Sequence, residues 1–222
     1  MLTSLRVTIG RIQSKIRVYF NKSLRIREVK ELSSYPKHIR PYISKLLNIC
    51  QKQNNIFWDT SINAFSKQQL SKLITLRLMD YFDSSIQCIK CRSYQSLFIL
   101  LRSQCETLYL LKYLDKRPEK IKEFMEINTS KFYHMNDLIR DVNDINLKEL
   151  YDYLSDIIHP NRIGIKFTHH IMKDINGNDT GRRLMTNIPL NYEEVLEDIM
   201  RSIISVNTSA LNILEKWYNS KD

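Results

Sequence analysis

The sequence contains few residues that interrupt helices. Its 222 residues include four glycines and five prolines. Three of these glycines and two of these prolines fall within residues 160–189, and Pro36 and Pro41 lie close together nearer the N-terminus. Glycine and proline favour turns and disfavour helix interiors. Their scarcity elsewhere therefore predicts long, uninterrupted helices.

The sequence also lacks an apolar run that could cross a bilayer. The longest stretch without a charged residue, Ser202–Leu214, has 13 residues and includes the polar Asn207, whereas a transmembrane helix needs about 20 apolar residues. Charged residues from Arg6 onward interrupt any secretory signal, so the four cysteines have no oxidising compartment in which to pair. We expect a cytoplasmic protein without a transmembrane segment or disulfides.

Motifs typical of familiar cofactor and metal enzymes are absent. The chain has no glycine-rich phosphate loop, no G-x-S-x-G elbow and no paired zinc motif. Cys88-x-x-Cys91 has no second ligand pair, and His169-His170 has no supporting carboxylate or cysteine at a suitable spacing. The sequence therefore predicts neither a metal nor a cofactor.

Positive charge is concentrated at the N-terminus. The formal net charge is +10, and residues 1–30 carry eight basic residues against one acidic residue. Apolar residues of this segment share one helical stripe, namely Leu5, Ile9, Ile12, Ile16 and Phe20. We expect residues 1–35 to form a basic amphipathic arm that docks on a hydrophobic surface, with a membrane-surface helix and a solvated extension as alternatives. Basic residues expected to contact nucleic acid are Arg6, Arg11, Lys15, Arg17 and Lys22.

Apolar residues recur at helical spacing through most of residues 36–222. This pattern predicts an all-α, multi-helix bundle forming one domain, with helices near 43–52, 70–89, 94–114, 118–140, 146–158 and 192–218. The helix at 94–114 is apolar nearly all round, so we expect it to be the central helix. Residues 161–190 break the pattern around Asn176-Gly177, which predicts a short β-hairpin or an irregular flap.

One charged pair lies within the most apolar of these helices. Arg102 and Glu106 are the only charged residues between Ser93 and Leu111, and they are one turn apart on the same helix face. Because removing charges from water is costly unless they are paired, we expect a largely buried pair. It either ties helices together or forms an active centre.

A second group of polar residues follows a later helix. Tyr151, Ser155 and His159 are spaced four residues apart along the helix that Pro160 ends. The negative end of that helix favours the protonated form of His159. Antiparallel packing in a bundle can bring position 159 level with position 102, so we expect His159 near Arg102 and Glu106.

Together, Arg102-Ser103-x-x-Glu106 and Tyr151-x-x-x-Ser155-x-x-x-His159-Pro160 resemble segments of an uncharacterised family of bacterial helical proteins. That family is regarded as akin to the HEPN domains of toxin and phage-defence systems. The resemblance covers roughly residues 70–217. It implies a metal-independent RNA endonuclease in which Arg102 holds phosphate charge, Glu106 orients Arg102 or acts as a base, and His159 moves a proton.

HEPN ribonucleases use an R-x(4–6)-H motif, and this chain matches it in a different place. Arg162 and His169 have six residues between them, and they form an alternative catalytic pair. Their position after Pro160, in the irregular segment, departs from the usual context of that motif.

The resemblance implies a HEPN-like component of a bacterial toxin or anti-phage defence system that acts on RNA. The competing interpretation is a non-catalytic helical module that docks a larger effector encoded in the same operon. A peripheral membrane protein anchored by the first helix is a third. A homodimer is compatible with any of them.

Overall fold

The computed structural model is an all-helical bundle with one short hairpin, which confirms the predicted fold class. It describes residues 32, 35, 37–59, 67–91, 93–126, 134–158, 169–173, 179–184 and 192–220. Within these ranges, helices are α1 (Arg40–Asp59), α2 (Lys67–Lys90), α3 (Tyr94–Lys116), α4 (Lys120–Glu126), α5 (Met135–Val142), α6 (Ile145–Ile158) and α7 (Tyr192–Asn219). The strands are β1 (His169–Lys173) and β2 (Asp179–Leu184).

The α3 helix is the central element, as its composition predicts. It packs against α2, α5, α6 and α7, while α1 packs against α2 and α7. Buried leucines occupy several sides of α3, among them Leu97, Leu101, Leu108, Leu111 and Leu114. A helix that is apolar all round can bury its surface only by being surrounded, and α3 is surrounded by these four helices.

A buried pair of amides links α3 to α7. The Asn207 Nδ2 group donates hydrogen bonds to Gln104 Oε1 at 2.6 Å and to the Ile203 carbonyl at 2.9 Å. Both side chains are withdrawn from solvent. Because a buried amide without a partner costs about 1–3 kcal/mol, this pair favours one register of α3 against α7.

The prediction of a single helix over 118–140 is wrong. Pro118 does precede a helix, but α4 ends at Glu126, and His134 has an extended backbone with φ −94° and ψ 144° before α5 begins. The α5 helix then ends at Asn143, whose φ of 49° is left-handed. Asparagine tolerates this conformation at a helix end, and its N–H donates to the Ile139 carbonyl at 3.0 Å.

The N-terminus of α6 is capped by Asp144, and Asn146, where the sequence pattern predicts the helix to begin, lies in its first turn. Asp144 Oδ1 accepts the N–H of Leu147 at 3.0 Å, and Lys112 of α3 donates to the other carboxylate oxygen. Burial by itself would raise the pKa of Asp144, but the hydrogen bonds from Lys112 and Leu147 outweigh it and lower that pKa. One carboxylate thus both starts α6 and attaches it to α3.

The strands lie in the segment for which a hairpin or flap is predicted. β1 pairs antiparallel with β2, so that His169 lies opposite Leu184, with an irregularity between Met172 and Lys173.

Nearly all of the predicted arm over 1–35 lies outside the described residues, as do its nucleic-acid candidates Arg6, Arg11, Lys15, Arg17 and Lys22. No helix in the described ranges is long and apolar enough to span a membrane.

Candidate functional site

Arg102 and Glu106 of α3 meet Tyr151 of α6 in one cluster, here called the α3–α6 cluster. Arg102 Nη2 donates to the Tyr151 hydroxyl at 3.0 Å, and that hydroxyl donates to Glu106 Oε1 at 3.4 Å. Arg102 Nε lies 3.6 Å from Glu106 Oε1, which makes an ion pair within one turn of α3. The phenol therefore connects the cation to the carboxylate.

The cluster is less buried than the sequence suggests. Side-chain exposure is 24% for Arg102 and 38% for Glu106, so the prediction of a largely buried pair is wrong. Tyr151, by contrast, is 8% exposed and belongs to the core. Tyr151 contacts both charged side chains, and the pair itself stays partly open to water.

Arg102 uses few of its hydrogen-bond donors on the described residues. A guanidinium has five N–H donors in a planar fork, yet this one makes a single hydrogen bond there, to Tyr151. Its Nε is buried and has no hydrogen-bond partner in that part of the chain. The guanidinium carbon lies 5.1 Å from the centre of the Tyr151 ring, which adds a cation–π contact. The arrangement holds Arg102 while leaving donors for an anion.

Two buried groups lie behind the cluster on α3. The Tyr109 ring meets the Tyr151 ring edge-on, with 6.1 Å between centroids and an interplanar angle of 90°. Burial, then the charge of Asp144, raises the pKa of Tyr109. Burial, then the charge of Glu106, raises the pKa of Cys105 to about 12. Because the thiolate is the nucleophilic form, the raised pKa lowers the reactivity of Cys105 near neutral pH.

The structure brings together only part of the predicted site. His159 and Arg162 lie outside the described residues, and His169 is placed only by its backbone in β1. The expected proximity of His159 to Arg102 therefore stays a prediction. Ser155 uses its hydroxyl within α6, donating to the Tyr151 carbonyl at 2.8 Å. The sequence alone assigns no catalytic role to Tyr151, although its spacing with Ser155 and His159 points to it.

A second cluster joins α1 to α7 with the same three residue types, and is called the α1–α7 cluster. Arg201 donates from Nε to the Tyr42 hydroxyl at 3.1 Å and from Nη2 to Glu197 Oε2 at 3.3 Å. The Tyr42 hydroxyl donates to the same Glu197 oxygen at 3.2 Å. Side-chain exposure of Arg201 is 63%, so this cluster lies at the surface.

The remaining ligand-type residues do not converge. Among the residues that the structure describes, no group of three or more His, Cys, Asp or Glu side chains is placed to hold a metal ion. Cys91 is exposed at the end of α2, and partial burial, followed by the charge of Cys91, raises the pKa of Cys88.

Compared with known proteins, the chain matches no family model, no curated protein and no solved structure.

Proposed function

We propose that the chain is a HEPN-like component of a bacterial toxin or anti-phage defence system that cleaves RNA at the α3–α6 cluster. One observation supports this. Tyr151 belongs to the second of the two segments that carry the family resemblance, and its hydroxyl contacts both Arg102 and Glu106 of the first. Segments separated by 45 residues in the sequence thus contribute to one group of side chains.

Arg102 suits the binding of a phosphodiester. Its planar fork of N–H groups matches two phosphate oxygens at once. Glu106 and the Tyr151 ring fix the guanidinium from two directions, and 24% of the Arg102 side chain remains exposed. A cation held in place before the substrate arrives stabilises charge that develops on phosphate in the transition state. We therefore assign phosphate binding to Arg102 and its orientation to Glu106.

The proposed reaction needs one proton acceptor near the phosphate. His159 accepts the proton of the ribose 2′-hydroxyl, and the 2′-oxygen forms a bond to phosphorus. The bond from phosphorus to the 5′-oxygen then breaks, that oxygen takes a proton from water, and the resulting hydroxide takes the proton held by His159. The products are a 2′,3′-cyclic phosphate and a 5′-hydroxyl end. Arg162 with His169 remains the alternative pair for this chemistry.

The proposal also covers the N-terminal arm and the place in the cell where the protein acts. Residues 1–35 contribute phosphate contacts through their basic face. The protein acts in the cytoplasm, where its RNA substrate lies, beside a partner protein of the same operon.

The experiment compares two arginines in similar clusters. Purified full-length protein is incubated with single-stranded RNA in the presence of EDTA, and the product ends are identified. We expect Arg102→Ala to lower the cleavage rate at least about 100-fold, while Arg201→Ala stays within about twofold of wild type because Arg201 is not at the site. Circular dichroism checks that both variants fold. Equal effects of the two substitutions, or intact RNA with the wild-type protein, would contradict the proposal.

The second candidate function is a non-catalytic interaction module. The α1–α7 cluster favours it, because it shows that this chain also uses arginine, tyrosine and glutamate to join helices at its surface. In that case the wild-type protein leaves RNA intact, and both arginine variants change stability alone. The same experiment therefore decides between the two functions.

A further inference from the structure

An open cleft lies where the C-terminal half of α3 meets the turn between α5 and α6. Its volume is about 660 Å³, within the range of about 300–1,000 Å³ that is usual for ligand sites. Its charged and polar lining residues are Lys112, Asp115, Lys116, Asn143, Asp144 and Asn146, and Ile145 also lines it.

The charges around this cleft leave one ammonium group without a carboxylate. Lys112 pairs with Asp144, Lys216 with Asp115 at 2.8 Å, and Arg117 with Asp141 at 3.2 Å. Lys116 instead donates to the backbone carbonyls of Val142 at 2.7 Å and Asp141 at 3.4 Å. No carboxylate within the described ranges lies at ion-pair distance from it. Lys116 is also exposed, so its charge is available to an anion.

The opposite wall offers amides and an apolar surface. Asn143 and Asn146 are both exposed, and each amide can donate and accept hydrogen bonds at once. Ile145 between them is 69% exposed, an unusual position for a large apolar side chain at the mouth of a cleft. Amides read the edges of nucleobases and apolar side chains contact their faces. With Lys116 added for a phosphate, the cleft has the chemistry that a nucleotide requires.

The cleft also lies in line with the α3–α6 cluster. Lys116 follows Arg102 by fourteen residues, which is almost four complete helical turns and about 21 Å along α3. The two cations therefore lie on nearly the same side of one helix. A strand of RNA whose phosphate contacts Arg102 reaches the cleft within a few nucleotides.

We infer that this cleft binds a nucleotide of the RNA strand that passes Arg102, with Lys116 on its phosphate and Asn146 on the edge of its base. The inference rests on the proposed function for the strand, but the nucleotide site itself does not depend on cleavage. It makes the protein recognise RNA at two points along α3 rather than one. A substrate must then be longer than a dinucleotide to bind well.

The test compares short and longer RNA on matched variants of the full chain. The double variant Lys116→Met, Asn146→Ala removes the two polar contacts, and Lys122→Met, Asn136→Ala is the control, since both of its positions are exposed and neither lines the cleft. Binding of a hexaribonucleotide and a dinucleotide is measured by calorimetry, with circular dichroism to confirm folding. We expect the cleft variant to raise the Kd of the hexanucleotide at least about tenfold and to leave that of the dinucleotide unchanged.

Other outcomes separate this inference from the proposed function. Equal affinity of the cleft and control variants for the hexanucleotide overturns the inference, and the proposed function still stands if Arg102→Ala abolishes cleavage. A titration with AMP, followed by amide chemical shifts, tests the cleft alone. In one outcome, AMP changes the amide chemical shifts of the cleft residues in the wild type but not in the cleft variant, while Arg102→Ala leaves RNA binding and cleavage unchanged. That combination overturns the shared RNA path and makes the cleft a site for free nucleotides.

Discussion

The α3–α6 and α1–α7 clusters combine the same three residue types in different surroundings. In the α1–α7 cluster, Arg201 hydrogen-bonds both Tyr42 and Glu197 and is 63% exposed. In the α3–α6 cluster, Arg102 makes one hydrogen bond, and the tyrosine it contacts is a core residue. Water screens the first arrangement, so its ion pair contributes little to stability. The same three residue types therefore do not by themselves make a candidate binding site. The α3–α6 cluster differs in the burial of its tyrosine and in the N–H donors that its arginine does not use within the described residues.

The largest difference between the clusters is expected when each tyrosine is removed. Tyr151→Ala leaves a cavity beneath Arg102 and removes the edge-on contact with Tyr109, so we expect it to lower the free energy of unfolding by about 3–5 kcal/mol. Tyr42→Ala removes a half-buried ring and should cost clearly less. Urea denaturation of the two variants measures both values. Equal losses would show that the two clusters are energetically alike.

Removing only the hydroxyl groups sharpens the comparison. Tyr151→Phe keeps the ring and deletes the hydrogen bonds to Arg102 and Glu106, so we expect a loss of about 1–2 kcal/mol. Tyr42→Phe should have a smaller effect, because Arg201 and Glu197 still pair directly in water. If Tyr42→Phe proves the more destabilising, the buried phenol does not organise the α3–α6 cluster.

The other attachment between α3 and α6 is the contact of Lys112 with Asp144. Asp144→Ala removes the cap of α6 and the partner of Lys112, and we expect a cost of about 1 kcal/mol. The folded protein lowers the pKa of Asp144 below its ordinary value of 3.8, so this contribution is present above that pH and is lost as pH falls through the lowered pKa. Unfolding curves from pH 7 to pH 2 should show wild type and variant converging in acid.

Asp80→Ala is the control for that experiment, since Asp80 is exposed on α2 and away from both clusters. The free energy of unfolding of Asp80→Ala should differ from that of the wild type by the same amount at every pH. A constant gap between wild type and Asp144→Ala down to pH 2 would show that the carboxylate charge is not what joins the helices.

The smallest expected effect is on the reactivity of Cys105. Burial is the main cause of its raised pKa and the charge of Glu106 is the second, so Glu106→Gln should speed alkylation of Cys105 by about twofold. Glu197→Gln, in the α1–α7 cluster, should leave that rate unchanged. Iodoacetamide labelling at pH 8, read by peptide mass spectrometry with the exposed Cys91 as internal reference, measures both. A rate that responds equally to both substitutions would contradict this electrostatic origin.

Much of the fold is predictable from the sequence. The helices expected over 70–89, 94–114 and 192–218 are α2, α3 and α7, because long periodic apolar patterns leave few alternatives. The residues between Glu126 and Met135 include neither glycine nor proline, so the local signal that separates α4 from α5 is the weaker polar run Asn128-Thr129-Ser130. The cap at Asp144 has a local signal, since aspartate is a preferred N-cap residue, but its contact with Lys112 of another helix depends on tertiary packing.

The candidate site is less predictable than the fold. Sequence spacing places Arg102 and Glu106 on one face of α3, and the structure agrees. How far a neighbouring helix covers that face depends on tertiary packing, so their partial exposure could not be foreseen. The bridging role of Tyr151 depends on the level at which α6 crosses α3, which the spacing of residues along one helix does not determine.

The buried pair of Gln104 and Asn207 restricts how the molecule can move. Sliding α7 past α3 by one turn would separate both amides in a medium without water, so shear between these helices is disfavoured. The polar contacts between α3 and α6 involve charged side chains that are partly open to water, namely Arg102, Glu106, Lys112 and Asp144. We therefore expect any adjustment of the site to a bound ligand to involve a small tilt of α6, while α3 and α7 keep their register.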